Sequence, residues 1–492
     1  MTVAALLAGL LAFVVMLRVL RAQQVASGVL DTARGAMAVM SDRHISDEEK
    51  ERRMRRASVQ MFRSFAVILG IGIVSLAVPS GIVWAGAALG LYALDHALAV
   101  ALGWPFILAS AGLAIAIWYL LERQRKASEA VVSDDLPYSP LDQALHAYAF
   151  ASPERHRMLG DMESRLFSRS IDLDQAARPV FVTSLPRAGT TMLLEALAAH
   201  RDLASATYRH MPFTMAPLLW GRFSGLFRKP AERAERAHGD GIEVGFDSPE
   251  AFEEMIWMTF WKEHYQGASI VPWSADRRDP EFEAFLRRHM AKIVQAKGGA
   301  ASRYVSKNNA NIARLPLLQD MFPNGHFVIP IRSPWSQINS LRRQHLRFLD
   351  LHRREPFSRT YMEGIGHLEF GATLKPIAFE GAYHDPAGAE DLSFWLHYWI
   401  SAYEAILNTL PSGAVIVDHD RLSANPRPHL AMLADRIELT NPADLEDMAK
   451  QFKASRLSEP ASGLPPALVR RAKDLHGHLK DLALSPEQEI GT

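Results

Sequence analysis

The stretch PVFVTSLPRAGTTMLLEALAAH, Pro179 to His200, constrains this chain more than any other. A β-branched apolar run from Val180 to Ser184 leads into the turn Pro186-Arg187-Ala188-Gly189-Thr190-Thr191. Met192, Leu193, Leu194, Ala196 and Leu197 then follow with helical spacing. The pattern predicts strand, glycine-containing loop and helix, a cradle for an anion. The first N–H groups of a helix have no partner within it, and its positive dipole end favours negative charge. Gly189 lets backbone approach a phosphate, Thr190 and Thr191 add hydroxyls, and Arg187 adds a planar fork of donors. The common nucleotide loop, Gly-x-x-x-x-Gly-Lys-Ser/Thr, needs a lysine beside the hydroxyl residue. Here the cation precedes the glycine and no lysine follows it.

A second motif lies further on, in NGHFVIPIRSPWSQINSLRRQHLRF, Asn324 to Phe348. Phe327 to Ile331 predicts a buried strand ending at Arg332. Ser333-Pro334 turns the chain, and Ser336 to His345 predicts a helix. About a turn and a half of that helix brings the Ser340 hydroxyl back over the strand end, beside the Arg332 guanidinium. A bidentate Arg–phosphate contact with a hydroxyl beside it is charge-assisted, at roughly 1.5–3 kcal/mol per bond.

The loop resembles the 5′-phosphosulfate loop of sulfotransferases, Pro-(Lys/Arg)-Ser-Gly-Thr-Thr, with Ala188 in place of the serine. Arg332 and Ser340 resemble that family's 3′-phosphate motif. RYVSKNNANI, Arg303 to Ile312, resembles the strand whose terminal lysine, here Lys307, lies near the bridging oxygen of the donor. Asp418-His419-Asp420-Arg421-Leu422 is a looser match to the late strand and turn of these enzymes. The resemblance extends over roughly Ser152 to Leu439. It implies 3′-phosphoadenosine 5′-phosphosulfate (PAPS) as co-substrate, bound by Arg187, Ala188, Gly189, Thr190, Thr191, Arg332 and Ser340. It also implies transfer of the sulfuryl group to a hydroxyl or amine, on an α/β fold with a central parallel sheet like that of the P-loop kinases. Alternating apolar strands and amphipathic helices point to the same class independently, with both phosphate motifs at strand ends.

Sulfuryl transfer needs cations at the leaving oxygen and a base at the acceptor. Arg187 and Lys307 suit the leaving side. Related enzymes carry a Glu or His after the first helix, in the segment matching Ala206 to Phe213. His210 is the candidate base there. Asp247 to Trp261 offers Glu250, Glu253 and Glu254 as rivals, and His238 is a further one. Glu253 and Glu254 rank after His210. Trp257, Phe260, Trp261 and Tyr265 have the spacing of a helix face, which fits core packing or an acceptor pocket. Phe394 to Tyr403 reads the same way. Two other readings stay open: a nucleotide kinase or nucleotidase, and a non-catalytic membrane scaffold.

The chain has 492 residues, no cysteine and a formal net charge of zero. Disulfides and thiolate metal sites are excluded, no charge excess argues for nucleic acid, and no metal-ligand spacing stands out. The front differs from the rest. Val3 to Leu20 is apolar except for Arg18, and Ala66 to Leu121 has no Lys or Arg, with Asp95 its lone acid. These runs predict an α-helical membrane region over residues 1–130, with spans at 3–20, 65–84 and 99–121 and a charged cytoplasmic helix over 41–63. Arg21, Arg63, Arg123, Arg125 and Lys126 flank the spans and favour the cytoplasmic side. The expectation is therefore a multi-pass inner-membrane protein. After the linker Val131 to Pro140, its sulfotransferase domain, 141–460, faces the cytoplasm, and a tail follows over 461–492. Such an anchor points to a lipidic or lipid-linked acceptor.

Overall fold

The computed structural model describes residues 2, 5–6, 8–10, 12–13, 67, 69–70, 72–104, 106–113, 146–147, 149–224, 234–235, 243–244, 248–299, 301–382, 385–453 and 458–486. The chain forms two compact units, Met1–Pro137 and Tyr138–Thr492.

In the first unit the apolar helix Gly72–Ala88 is followed by Leu94–Ala101, in whose first turn Asp95 lies, and by Phe106–Leu113. Among the described residues, no single helix is long and apolar enough to cross a membrane. The pair Leu94–Ala101 and Phe106–Leu113 passes that test together, bent by 71°. The charged helix expected over 41–63, the end of the span expected over 3–20 and the end of that over 99–121 lie outside the described residues. Large apolar side chains stand exposed on these helices, among them Ile73, Leu76, Trp84, Leu102, Trp104 and Leu108.

The second unit is built on strands β1 (Val180–Val182), β2 (Leu203–Ala204), β5 (Arg303–Lys307), β6 (His326–Ile331) and β7 (Val415–Asp418); β3 (Ala234–Glu235) and β4 (Glu243–Val244) form a separate antiparallel pair. The main sheet has the order β2-β5-β1-β6-β7 and is parallel throughout. A parallel sheet covered on both faces explains why β1, β5 and β7 are buried along their length and why β1 and β7 are apolar at nearly every position.

The two-residue period of a strand divides these side chains between two cores. Val180, Val182, Val305, Val328, Val415 and Val417 face one core, with Leu193, Leu194 and Leu197 of α1 (Thr190–Ala199). Phe181, Phe327, Ile329, Ile331 and Tyr304 face the other. That core is completed by α2 (Glu254–Phe260), α3 (Pro280–Lys297), α4 (Pro334–Arg354) and α5 (Leu392–Asn408). Trp257, Trp261 and Tyr265 belong to it, so the first aromatic set is packing. Next to β7 the short helix α6 (His419–Ala424) starts, capped by Asp418, whose carboxylate accepts the Asp420 and Arg421 N–H groups. The final helix α7 (Pro466–Leu482) buries Ala472 and Leu479 in the same core as α5, although sequence alone set this segment apart as a tail.

Two helices begin earlier than apolar spacing suggests. The helix expected from Met192 starts at Thr190, because Gly189 is the N-cap residue. The helix expected over Ser336 to His345 runs from Pro334 to Arg354, because proline at N1 is pre-set for a helix start.

Candidate active site

Register places the parts. Val182, the last residue of β1, lies between Lys307 of β5 and Val328 of β6. The loop Thr183–Gly189 therefore leaves the sheet with Lys307 on one side and the β6 exit, Arg332, on the other. All of these are at strand C-termini, where open parallel sheets bind ligands.

The loop is held in shape from behind. Gln337 of α4 donates to the carbonyls of Leu185 and Pro186, at 3.3 and 2.9 Å. Its own oxygen accepts from Trp399 Nε1 at 2.9 Å and the Tyr403 hydroxyl at 3.2 Å. The Ser184 and Tyr403 hydroxyls are 2.9 Å apart. Arg187 and Gly189 both adopt positive φ, 69° and 96°. For arginine this left-handed conformation is costly, roughly 1–3 kcal/mol, and such strain persists only where surroundings fix it. Two contacts fix it here. The Arg187 carbonyl accepts from Arg332 Nη1 at 3.3 Å, and Arg187 Nε donates to Ser340 Oγ at 3.0 Å. Gly189 is required twice over, since a side chain there would also collide with the His419 ring. Ala188 is buried and brings no hydroxyl to the loop.

Arg187, Arg332 and Ser340 are thus one cluster, although Arg187 and Arg332 are 145 residues apart in sequence. Arg332 Nε is buried without a hydrogen bond; Asp420 Oδ1 stands 3.8 Å away as an ion partner. Burial lowers the Arg332 pKa from the ordinary guanidinium value. Asp420 opposes this shift, and the charges of Arg187 and Arg343 reinforce it. Arg187 and Arg332, with Asp420 as the ion partner of Arg332, leave an excess of positive charge, which suits a phosphate. His419 is buried with Nδ1 unpartnered. Burial first, then the Arg332 charge, pushes its pKa down to about 4, so the ring is neutral at neutral pH.

On the other flank Lys307 Nζ lies 3.8 Å from Glu250 Oε1, and both side chains are buried. Glu250 also accepts from the Tyr208 hydroxyl at 2.9 Å. Thr190 Oγ1 donates to Asn309 Oδ1 at 3.3 Å, joining the first turn of α1 to the segment after β5.

The structure gives the candidate bases other partners. His210 is buried, and its Nδ1 accepts the Thr207 N–H at 3.0 Å. Glu253 accepts from Trp257 Nε1 at 3.3 Å and from the Tyr304 hydroxyl at 3.1 Å. Glu254 pairs with fully buried Arg314 and accepts from Asn308 Nδ2 at 2.7 Å and from the Tyr265 hydroxyl. Arg314 in turn lies over the Trp257 ring, 3.8 Å from its centroid. His238 lies outside the described residues.

A mainly apolar cavity opens beside the loop, bounded by Leu185, Pro186, Ile270, Leu341, Trp395 and Tyr398. Glu254, Asn308, Asn309, His367, Glu369 and Lys375 supply its polar wall. Of the two aromatic sets, the later one lines the cavity. Asn309 and Glu369 were missed by sequence reasoning. Their signal would have been Asn308-Asn309 next to Lys307, but a lone Glu369 some sixty residues away carries none.

A family model described as the sulfotransferase family matches residues 179–443, over half the chain, spanning the loop after β1 and the Arg332–Ser340 motif. The chain belongs to the sulfotransferase family. Sulfuryl transfer is the reaction type this membership carries. Similar solved structures include the sulfotransferase STF1 from Mycobacterium tuberculosis H37Rv, 16% identical, covering 65% of this chain and 81% of that one, with a TM-score of 0.38. Another is the sulfotransferase STF9 from Mycobacterium avium, 13% identical, covering 71% of this chain and 87% of that one, with a TM-score of 0.41. A third is a sulfotransferase from Alicyclobacillus acidocaldarius, 13% identical, covering 62% and 96%, with a TM-score of 0.31. No curated protein matches the chain. Among the described residues of this sulfotransferase, no group of three or more His, Asp or Glu side chains could hold a metal ion.

Proposed function

We propose that the second unit transfers the sulfuryl group of PAPS to a hydroxyl acceptor. The observation that carries this reading is the Arg187–Ser340–Arg332 cluster, which ties the loop after β1 to the exit of β6. A donor with phosphates at both its 5′ and 3′ positions suits such a pair. The loop N–H groups and Thr190 serve the 5′ side. Arg332 and Ser340 serve the 3′ side, where the unbonded Arg332 Nε is available to an oxygen. A nucleoside triphosphate has no group for this second contact, and the loop has no lysine after Gly189 for a γ-phosphate.

In the reaction the acceptor oxygen attacks sulfur in line with the departing phosphate oxygen. Charge grows on that bridging oxygen, and Lys307 and Arg187 are the cations placed to stabilise it. Glu250 holds Lys307 in position at 3.8 Å. Positioning and fixed charge supply most of the effect, as in phosphoryl transfer.

The test is calorimetric binding of adenosine 3′,5′-bisphosphate, AMP and ATP to the detergent-solubilised full chain. Selective binding of the bisphosphate supports the reading. Preference for ATP sinks it.

We infer further that the first unit holds the enzyme at the inner membrane with its catalytic unit in the cytoplasm. Exposed Ile73, Leu76, Trp84, Leu102, Trp104 and Leu108 would be costly in water, and each buried methylene gains about 0.8 kcal/mol in lipid. The flanking Arg123, Arg125 and Lys126 favour the cytoplasmic side. An acceptor reached from that surface would be lipidic or lipid-linked. Release of the protein from membranes by high salt or alkaline carbonate would refute integral anchoring.

A further inference from the structure

Among the described residues, none of the acids and histidines singled out from sequence is placed to take the acceptor proton without giving up a structural bond. One carboxylate is placed differently. Glu369 lies on the wall of the apolar cavity and is only part-buried. Its Oε1 accepts from Asn309 Nδ2 at 3.0 Å, while Asn309 Oδ1 accepts from Thr190 Oγ1 at 3.3 Å. One amide therefore spans from the phosphate loop to this carboxylate, and its two bonds fix which way the amide faces.

Backbone geometry holds Glu369 there. The helix Pro356–Ile365 ends at Gly366, with φ 80°, where a side chain would run into Glu254. After Glu369 and Phe370 the chain turns at Gly371, with φ 68°, where a side chain would meet Phe348 and His352. Between these glycines, the Leu368 carbonyl accepts the Lys375 N–H at 2.8 Å. The other ionisable groups of the cavity wall are Glu254, Lys375, His367 and Tyr398, whose hydroxyl accepts the Ile377 N–H at 3.0 Å and whose pKa burial pushes up, keeping it neutral. Glu254 is neutralised by Arg314. Lys375 Nζ donates to the carbonyls of Tyr265 and Gly267. His367 is the rival.

We propose that Glu369 is the general base, taking the proton from the hydroxyl of an apolar acceptor seated between Leu185, Ile270, Leu341 and Trp395. This rests on the sulfotransferase reading above. The acceptor O–H bond breaks toward Glu369 as the new O–S bond forms. The S–O bond to the phosphate breaks with its electron pair staying on the phosphate oxygen, beside Lys307 and Arg187. Glu369 later returns its proton to solvent. A mainly apolar wall, whose other carboxylate Glu254 is paired with Arg314, favours a neutral alcohol or phenol on a hydrophobic body, since a charged acceptor would lose its hydration there.

The experiment compares the full-length wild type, Glu369→Gln, Glu369→Asp and His367→Asn. Bisphosphate binding is measured by calorimetry, and transfer is measured from sulfur-labelled PAPS to 1-naphthol and decanol. Glu369→Gln keeps the Asn309 bond and should hold bisphosphate affinity within about threefold while losing transfer by roughly 100-fold or more. Glu369→Asp should keep part of the rate. Transfer by Glu369→Gln within threefold of wild type, or loss in His367→Asn with Glu369→Gln active, overturns the assignment. Bisphosphate binding without transfer to either alcohol by the wild type overturns the acceptor class. Absence of bisphosphate binding in the wild type refutes the underlying reading instead.

Discussion

Replacing Arg332 with alanine separates a ligand contact from a structural brace. In the free protein the guanidinium donates one bond, Nη1 to the Arg187 carbonyl at 3.3 Å, and its Nε makes none. Losing the brace costs about 1 kcal/mol and loosens a loop already strained at Arg187, so every ligand of the loop should weaken by about fivefold. The 3′-phosphate should lose more. Two charge-assisted bonds at roughly 1.5–2 kcal/mol each give about 3–4 kcal/mol. At 1.4 kcal/mol per decade this is a loss of several hundredfold. The assay is calorimetric titration of adenosine 3′,5′-bisphosphate and AMP into wild type and Arg332→Ala, at one salt concentration. The ratio of the two affinities should fall by at least about 100-fold. Equal weakening of both ligands would mean that Arg332 only braces the loop, and the 3′-phosphate assignment would fail.

Other consequences follow from the same geometry. Gly189→Ala places a side chain at φ 96° against His419, so donor binding should disappear and the melting temperature should fall, by about 1–3 kcal/mol of stability; unchanged bisphosphate binding would contradict the close approach of loop and ring. Glu254→Ala leaves Arg314 buried without its carboxylate, a loss of about 3–5 kcal/mol read by urea denaturation, and a loss under 1 kcal/mol would show that water enters the site. His156 is held neutral by burial, with its pKa pushed down to about 4 from 6.5. The unfolded chain therefore takes the proton first. Stability present above pH 6.5 should be lost as pH falls toward 4, about 3 kcal/mol from this residue, and His156→Gln should flatten that slope in denaturation curves at several pH values.

The sequence by itself determined the layered α/β class, the two motifs that follow β1 and β6 and the apolar character of the first unit. Those are carried by local rules: apolar runs for buried parallel strands, a glycine and hydroxyls before a helix, an arginine at a strand end. The positions of Arg187, Gly189, Arg332 and Ser340 were legible because each motif is continuous in the chain. Tertiary structure decided what faces what. The aromatics at Trp257 and at Trp395 read alike in sequence and pack into the same core, yet Trp395 and Tyr398 of the later set also line the cavity. Glu253 and Glu254 look like free acids at a helix start, but Tyr304 and Arg314 reach them from other elements. Glu369 has no local signal at all, because its link to Thr190 runs through Asn309 and its placement depends on two glycine turns. Periodicity specifies which face of an element is buried, whereas hydrogen-bond partners across elements are set only when the sheet order is fixed.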